Sequence, residues 1–334
     1  MDAIVLVGGL GTRLRPLTET RHKSLVPVCN RPAIDYLFDW LDGAGFERIV
    51  LALGRHNDDL ADAYRSGWLG RARLLIVEEQ ERLESGGAIR HAVDHAGIDG
   101  RFAVVNGDVY LDFDFADALD RHIERQADLT IALVAVDDPS AYGVAVVDGR
   151  GVITGFVEKP PPGTAPSNLV NAGAWIFERR LVDEIPPGPV RVEETLFPSL
   201  VGRRRNVLGY EFQGLWADIG TPERYLWLNR ELCRRHGGCV ISPTASVDAS
   251  AKVVASALGP GSAVASGATI EDSVLWENAL VGPGAVVKGS ILADGVEVGA
   301  GARLVSVVAG SRASIAAGAE PPAGARLQPG EQYG

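Results

Sequence analysis

Up to about residue 235 the chain alternates short apolar runs with segments whose apolar residues recur at helical spacing. Ala3–Val7, Ile49–Leu53, Leu74–Val77 and Phe102–Val105 read as buried strands rich in Val, Ile and Leu. Between them Ala33–Ala44, Asp58–Tyr64 and Ala88–Ala96 have helix-compatible spacing. The alternation predicts an α/β unit with a mainly parallel sheet covered on both faces. Such sheets bind ligands in the loops that leave the carboxyl ends of their strands.

From about 240 onward helical periodicity disappears and Gly, Ala, Ser and Val dominate. Ile241, Leu258, Leu275, Leu292 and Ala309 recur at one constant interval. Val247, Val264, Val281, Val298 and Ile315 follow each by 6. Val253, Ile270, Val287 and Leu304 come 6 later again, and the series ends at Pro321. Spacings of 6, 6 and 5 describe three short strands per turn, each with one inward aliphatic residue. The prediction is a triangular parallel β-helix of four coils and a partial fifth, with Gly259-Pro260-Gly261 and Gly282-Pro283-Gly284 at tight corners. Residues 1–236 and 237–334 are therefore expected to be separate domains.

Composition narrows the class. With 334 residues and 46% apolar content the chain folds rather than staying disordered. A net charge of −11 argues against wrapping nucleic acid, though a local basic site for a small phosphate remains open. Cys29, Cys233 and Cys239 show no CxxC spacing, which points away from a disulfide framework or zinc site and toward a reducing compartment. The N-terminus lacks a basic start and a long apolar core, and no stretch reaches the roughly 18 apolar residues of a membrane span. A cytoplasmic location without membrane partners is expected.

The first strand runs into GGLGTRLRPLT at 8–18, followed by Lys23. Glycines after a strand let backbone N–H groups approach a phosphate, and Arg13, Arg15 and Lys23 add three cations. The stretch is neither a Walker loop nor a dinucleotide fingerprint. Alone it also fits a solvated loop with ordinary surface charges.

VGGLGTRLRPLTETRHKSLVPV at 7–28 resembles the signature of the sugar-1-phosphate nucleotidyltransferases. VVNGDV at 104–109, YGVAVV at 142–147, FVEKP at 156–160, VNAGAWIF at 170–177 and WADIGTPERY at 216–225 agree in order. The last two, with the β-helix, most resemble mannose-1-phosphate guanylyltransferases. The resemblance implies a Rossmann-like catalytic domain and a C-terminal left-handed hexapeptide-repeat β-helix. It also implies transfer of a nucleotidyl group from an NTP to a sugar 1-phosphate, giving an NDP-sugar and pyrophosphate. Nucleotide contacts then fall on Val7, Gly8, Gly9, Gly11, Thr12, Arg13, Glu79, Ser85, Gly86, Gly87 and Asn106. Asp108 and Asp218 would share Mg²⁺, which prefers few carboxylates plus phosphate oxygens and water. Arg13 would hold the leaving phosphates and Lys23 the α-phosphate; with Asp108 they form the expected catalytic set. On the acceptor side Lys159 would pair with the sugar phosphate, Glu158 and Asn171 with hydroxyls, and Gly143 would allow close backbone approach.

Two stretches depart from the pattern. His22-Lys23-Ser24 replaces Pro-Lys-Pro, losing both rigid flanks of the lysine. ERLESGGAI at 81–89 replaces EPLGTAGAL and is closer to N-acetylmuramate-1-phosphate uridylyltransferases, as is the run 105–115, so the base stays open. Glu79, an acceptor-only carboxylate, suits the N1–H and N2–H₂ donors of guanine and favours GTP, with mannose 1-phosphate as the leading acceptor. Uridylyl, thymidylyl or adenylyl transfer to another sugar or cyclitol phosphate, and a silent regulatory subunit, are the alternatives. An acyltransferase on the β-helix is disfavoured, because His22, His56, His91, His95, His122 and His236 all precede it. His91 and His95 have metal-like spacing without a third ligand nearby in sequence and read as a solvated helix face. The β-helix is expected to serve homo-oligomer assembly.

Overall fold

The computed structural model describes residues 1–334 apart from Leu10, Arg55, His56, Ser66, Gly67 and Leu69. Two compact units interleave along the chain: Met1–Gly9 with Tyr36–Trp216, and Leu10–Asp35 with Ala217–Gly334.

The first unit is a nine-stranded mixed sheet. Its parallel centre is β1 (Asp2–Val7), β2 (Arg48–Leu53), β3 (Arg73–Glu78) and β4 (Phe102–Asn106), in the order β4-β1-β2-β3. Each predicted strand is present, slightly extended at one end or both. Beyond β4 lie β5 (Leu129–Ala135), β6 (Gly143–Val147), β7 (Ile153–Glu158), β8 (Leu169–Phe177) and β9 (Val207–Glu211). β8 runs antiparallel to β4, β5 and β6, which makes the sheet mixed. The helices are α1 (Ala33–Gly43), α2 (Asp58–Tyr64), α3 (Glu84–Ala96), α4 (Phe115–Glu124) and α5 (Leu196–Gly202). Asp114 caps α4 by accepting from the N–H groups of Ala116 and Asp117. α3 begins at Glu84, ahead of its predicted start at Ala88, because Gly86 and Gly87 have low intrinsic helix propensity and hide it in the sequence. Ile4, Val50, Ile89, Val104, Trp175, Phe177 and Phe197 belong to one buried cluster that holds helices to the sheet.

The second unit contains α6 (Pro222–Arg235), with Thr221 as its N-cap, and then the parallel β-helix. Strands of equivalent coils stack in three sheets, with Leu258 opposite Leu275, Val264 opposite Val281 and Ile270 opposite Val287. These pairs keep the interval seen in the sequence. Leu258, Leu275, Leu292, Ile270, Val287 and Leu304 are fully buried inside the β-helix. Ile241 departs from the inward series and is 44% exposed, because its coil has a neighbour on one side only. Buried serines form a corner ladder. Ser256, Ser273 and Ser290 accept through Oγ from the N–H groups of Ser273, Ser290 and Val307 at 3.0, 3.1 and 3.0 Å. The coil also outlasts the sequence repeat. Ala309 pairs with Leu327 and Ile315 with Tyr333, so the last turn is longer by a single residue and escapes a search at the constant interval. Pro321 and Pro322 lie in that turn, where the third sheet, lacking their N–H groups, has already ended. Among the described residues no helix is long and apolar enough to cross a membrane.

Candidate functional site

In the first unit the loops after β1, β2, β3 and β4 leave the sheet at the carboxyl ends of their strands. β1 and β4 pair with Leu6 opposite Asn106, so Val7-Gly8-Gly9 and Asn106-Gly107-Asp108 emerge side by side. Gly107 donates its N–H to the Leu6 carbonyl at 2.8 Å, and a Cβ there would lie 2.2 Å from Val7. Asn57 fixes the other side of the turn, donating Nδ2–H to the Val7 carbonyl at 2.9 Å. A Cβ on Gly54 would come within 2.8 Å of the Gly8 Cα. Asn57, Gly54 and Gly107 thus shape the base of the glycine loop, although sequence reasoning passed over them. Asn106 packs its amide against Gly173, whose left-handed φ of +77° bulges β8.

The segment expected to hold the base is engaged with protein. Glu79 is 5% exposed and accepts the Leu83 N–H through Oε2 at 3.0 Å; burial pushes its carboxyl above the usual range. A strap at residues 188–193 crosses the start of α3. Gly86 donates to the Val190 carbonyl at 2.7 Å, and a Cβ on Gly87 would meet the Gly188 carbonyl at 2.5 Å. The missing side chains of Gly86 and Gly87 are what let the strap lie down. Ser85 donates Oγ–H to Glu193 Oε2 at 2.5 Å and accepts the Val192 N–H at 3.1 Å, so its hydroxyl proton is committed within the protein. Arg191 reaches Glu84 at 3.1 Å. Nothing in the local sequence marks the contact of Glu193 with Ser85 or of Arg191 with Glu84, since each pair lies far apart along the chain.

The acceptor-side residues gather on β6, β7 and β8 in this same unit. Glu158, at the end of β7, lies so close over β6 that a Cβ on Gly143 would meet its Oε2 at 2.6 Å. Lys159 pairs with Glu158 at 2.9 Å and is 54% exposed. Asn171 accepts the Gly173 N–H and the Trp175 indole N–H at 3.0 and 2.7 Å, so its amide NH₂ is the group it offers a ligand.

The second unit carries Gly11, Thr12, Arg13, Lys23 and Asp218. Gly11 sits at φ +62° against the side chains of Thr18 and Lys23, and Thr18 Oγ1 donates to its carbonyl at 2.8 Å. His22 restores stiffness where the family's prolines are missing: its Nδ1 accepts the Ser24 N–H at 3.1 Å and caps the turn Lys23–Leu25. Asp218 and Arg13 converge on Gly220. A Cβ there would meet Asp218 Oδ2 at 2.8 Å and Arg13 Nη2 at 3.1 Å, so only glycine lets both approach. Arg224, on α6, contacts both Asp218 oxygens at 2.8 and 2.7 Å.

The glycine-rich loop is also docked along the β-helix. Thr20 bonds Ser311 at 3.0 Å, and Arg21 bonds Asp294 at 2.9 Å while its guanidinium lies 5.2 Å from the Trp276 ring centroid. Asn30 donates to the Leu258 carbonyl at 2.7 Å. Burial, reinforced by the Glu277 charge, pushes the Asp294 carboxyl up while Arg21 pulls it back.

Among the described residues no group of three or more His, Cys, Asp or Glu side chains gathers as a metal cage. A Mg²⁺ ion needs none, since one or two carboxylates with phosphate oxygens and water suffice. Asp108 and Asp218 are donors of that kind, and Arg224 holds Asp218 through both carboxylate oxygens. His91 and His95 bond backbone carbonyls of Glu78 and His91 and stack at 3.9 Å, while His56 lies outside the described residues. An open concavity of about 480 Å³ on one β-helix face includes Asp248 and Glu297 but no cation in its lining, which does not suit a phosphate.

The nucleotidyl transferase family model matches residues 2–235, and the chain belongs to that family. The GMPPB C-terminal domain model matches 235–319. The chain is 35% identical over 236 residues to mannose-1-phosphate guanylyltransferase of Mycobacterium tuberculosis, covering 70% of this chain and 65% of that protein. It is 34% identical over 255 residues to mannose-1-phosphate guanyltransferase of Schizosaccharomyces pombe, covering 74% and 69%. The crystal structure of HddC from Yersinia pseudotuberculosis complexed with GMP-PN superposes with a TM-score of 0.60 and 27% identity, over 69% of this chain and 99% of that one.

Proposed function

We propose that this chain transfers a guanylyl group from GTP to mannose 1-phosphate, forming GDP-mannose and pyrophosphate. The observation that carries the reading is the convergence of Arg13 and Asp218 on Gly220, a cation and a hard oxygen donor held together on one glycine. The acceptor phosphate oxygen attacks the α-phosphorus, one P–O bond forms and the bond to pyrophosphate breaks. An already ionised phosphate needs no protein nucleophile, so positioning and charge neutralisation suffice. Arg13 and Lys23 bind the polyphosphate, Asp108 and Asp218 hold Mg²⁺, and Lys159 and Glu158 orient the acceptor. When bound, Mg²⁺ neutralises charge on the phosphate oxygens. The names of the guanylyltransferase relatives and the GMP-PN complex of HddC support the base. A cytoplasmic location, a catalytic domain at 1–236 followed by a β-helix domain at 237–334, and self-association through the β-helix belong to the same proposal.

The test is the purified full chain with Mg²⁺ and mannose 1-phosphate, offered GTP, UTP, dTTP and ATP separately. Pyrophosphate release and product mass are read; GDP-mannose is expected to dominate. Equal or faster use of UTP overturns the guanine assignment, and no release with any pair overturns the activity.

A further inference from the structure

Beside the cation and the carboxylate that meet at Gly220 stands a third charged side chain, Arg224. It lies in the first turn of α6, its backbone N–H donated to the Thr221 Oγ1 cap at 3.4 Å. One nitrogen of its guanidinium, Nη1, sits between the two Asp218 oxygens at 2.8 and 2.7 Å. A cation chelated by that carboxylate would take the same place, so Arg224 and a divalent ion compete for one set of lone pairs. The shorter contact is to Oδ2, the oxygen that crowds Gly220 beside Arg13 Nη2. Arg13 and Arg224 therefore flank one carboxylate, and the forked donors of two guanidiniums match phosphate oxygens. The Arg224 side chain is 31% exposed and can leave Asp218 without unpacking a core, whereas Asp218 is 16% exposed and the more fixed partner.

We propose that Arg224 is a further polyphosphate-binding residue, one that Asp218 holds back until a divalent ion claims the carboxylate. The proposal deepens the functional reading and rests on it, since the ion and the nucleotide both come from there. While it is bound to Asp218, Arg224 has its Nη1 donors committed and offers a triphosphate little. Once displaced, its guanidinium is free to bond phosphate oxygens while its backbone stays fixed in α6. Displacing Arg224 weakens ion binding when no nucleotide is present to accept the arginine, and a bound nucleotide removes that penalty. The linkage is reciprocal: the ion strengthens nucleotide binding by the factor by which the nucleotide strengthens ion binding. A residue that only positioned Asp218 would act with the opposite sign, because its loss would loosen the carboxylate and weaken the ion.

The experiment compares the full chain with Arg224→Ala, Arg224→Lys and Asp218→Asn, with no sugar phosphate present so that no turnover occurs. Mn²⁺ serves as a paramagnetic probe, and its binding without nucleotide is read by electron paramagnetic resonance at the site that Asp218→Asn removes. GTP binding is read by equilibrium dialysis, once in EDTA and once at saturating Mg²⁺. Arg224→Ala is expected to tighten Mn²⁺ about fivefold or more and to weaken GTP about tenfold at saturating Mg²⁺. GTP binding in EDTA should stay within about threefold of the unmodified chain. Arg224→Lys, which keeps a charge but loses the fork, should shift both in the same directions by less. Weaker or unchanged Mn²⁺ binding in Arg224→Ala overturns the proposal, as does an equal loss of GTP affinity with and without Mg²⁺. If Arg224→Ala does not fold, Arg224→Lys decides by the same signs. An unmodified chain that binds neither Mn²⁺ nor GTP defeats the functional reading itself, whereas one that binds both while Arg224→Ala fails these tests defeats this inference alone.

Discussion

Replacing Asp294 by alanine takes away the carboxylate that Arg21 reaches from the glycine-rich loop, 273 residues away in sequence. A hydrogen bond to a charged group contributes roughly 1.5–3 kcal/mol, and partial exposure lowers that figure. Both side chains are 30% exposed, so about 1–2 kcal/mol is expected here. The carboxyl is raised by burial, so the intact pair has a small net worth; the loss on truncation is larger because Arg21 is left half-buried without its acceptor. The stack of Arg21 on Trp276, worth about 0.5–1 kcal/mol, survives and keeps the loss below the upper limit. Arg13 and Lys23 ride on the same segment, so part of this energy should appear as loop displacement and a fall in kcat/KM of up to about tenfold, since about 1.4 kcal/mol is a factor of ten. The assay is a double-mutant cycle with Arg21→Met, Asp294→Ala and both, read by urea unfolding and by pyrophosphate release. A coupling energy of about 1 kcal/mol is expected. A coupling below about 0.3 kcal/mol with unchanged turnover refutes the claim that the β-helix holds the loop.

Other outcomes can be checked directly. Arg13→Ala and Asp108→Ala should each lower turnover by a factor on the order of 10²–10³, measured as pyrophosphate release, because each removes a preorganised charge contact. Asp128 is held well below the usual carboxylate range, chiefly by its hydrogen bond to Arg205 and then by Arg180. Its depressed value means stability present above the unfolded-state pKa of about 3.9 and lost as pH falls through the folded one. The melting-temperature deficit of Asp128→Asn should therefore be full at pH 7 and shrink below about pH 4. Ser273→Ala leaves the Ser290 N–H inside the β-helix without its acceptor and should cost about 1–3 kcal/mol in denaturant unfolding.

Much of the architecture was legible because it repeats at short range. The β1 and β2 runs and the constant-interval aliphatic series are periodic patterns that burial of one face imposes on any sequence. The final coil was not, since its added residue breaks the period while Leu327 and Tyr333 still find their partners. Within the site, order along the chain announced the motif residues but not their neighbours. Ser85 and Glu193 are 108 residues apart, and neither has an unusual local setting. Glu79 looks like an open base reader in one dimension, yet its carboxyl closes the turn to Leu83. His22 shows the converse: the loss of two prolines looks like a loosened loop until the imidazole is seen capping it.

Glu277, Asp294 and Ser311 occupy the same corner of successive coils. Arg21 and Thr20, adjacent in the loop, grip the second and third of these. Asn30 grips a carbonyl two coils earlier. A solenoid standing alone tolerates gain or loss of a whole turn, because each turn meets only its neighbours. Here one extra turn between Leu258 and Asp294 would carry two of the three anchors away by about 4.8 Å, the spacing of adjacent strands. The loop thus acts as a gauge that fixes how many turns lie between Leu258 and Ser311.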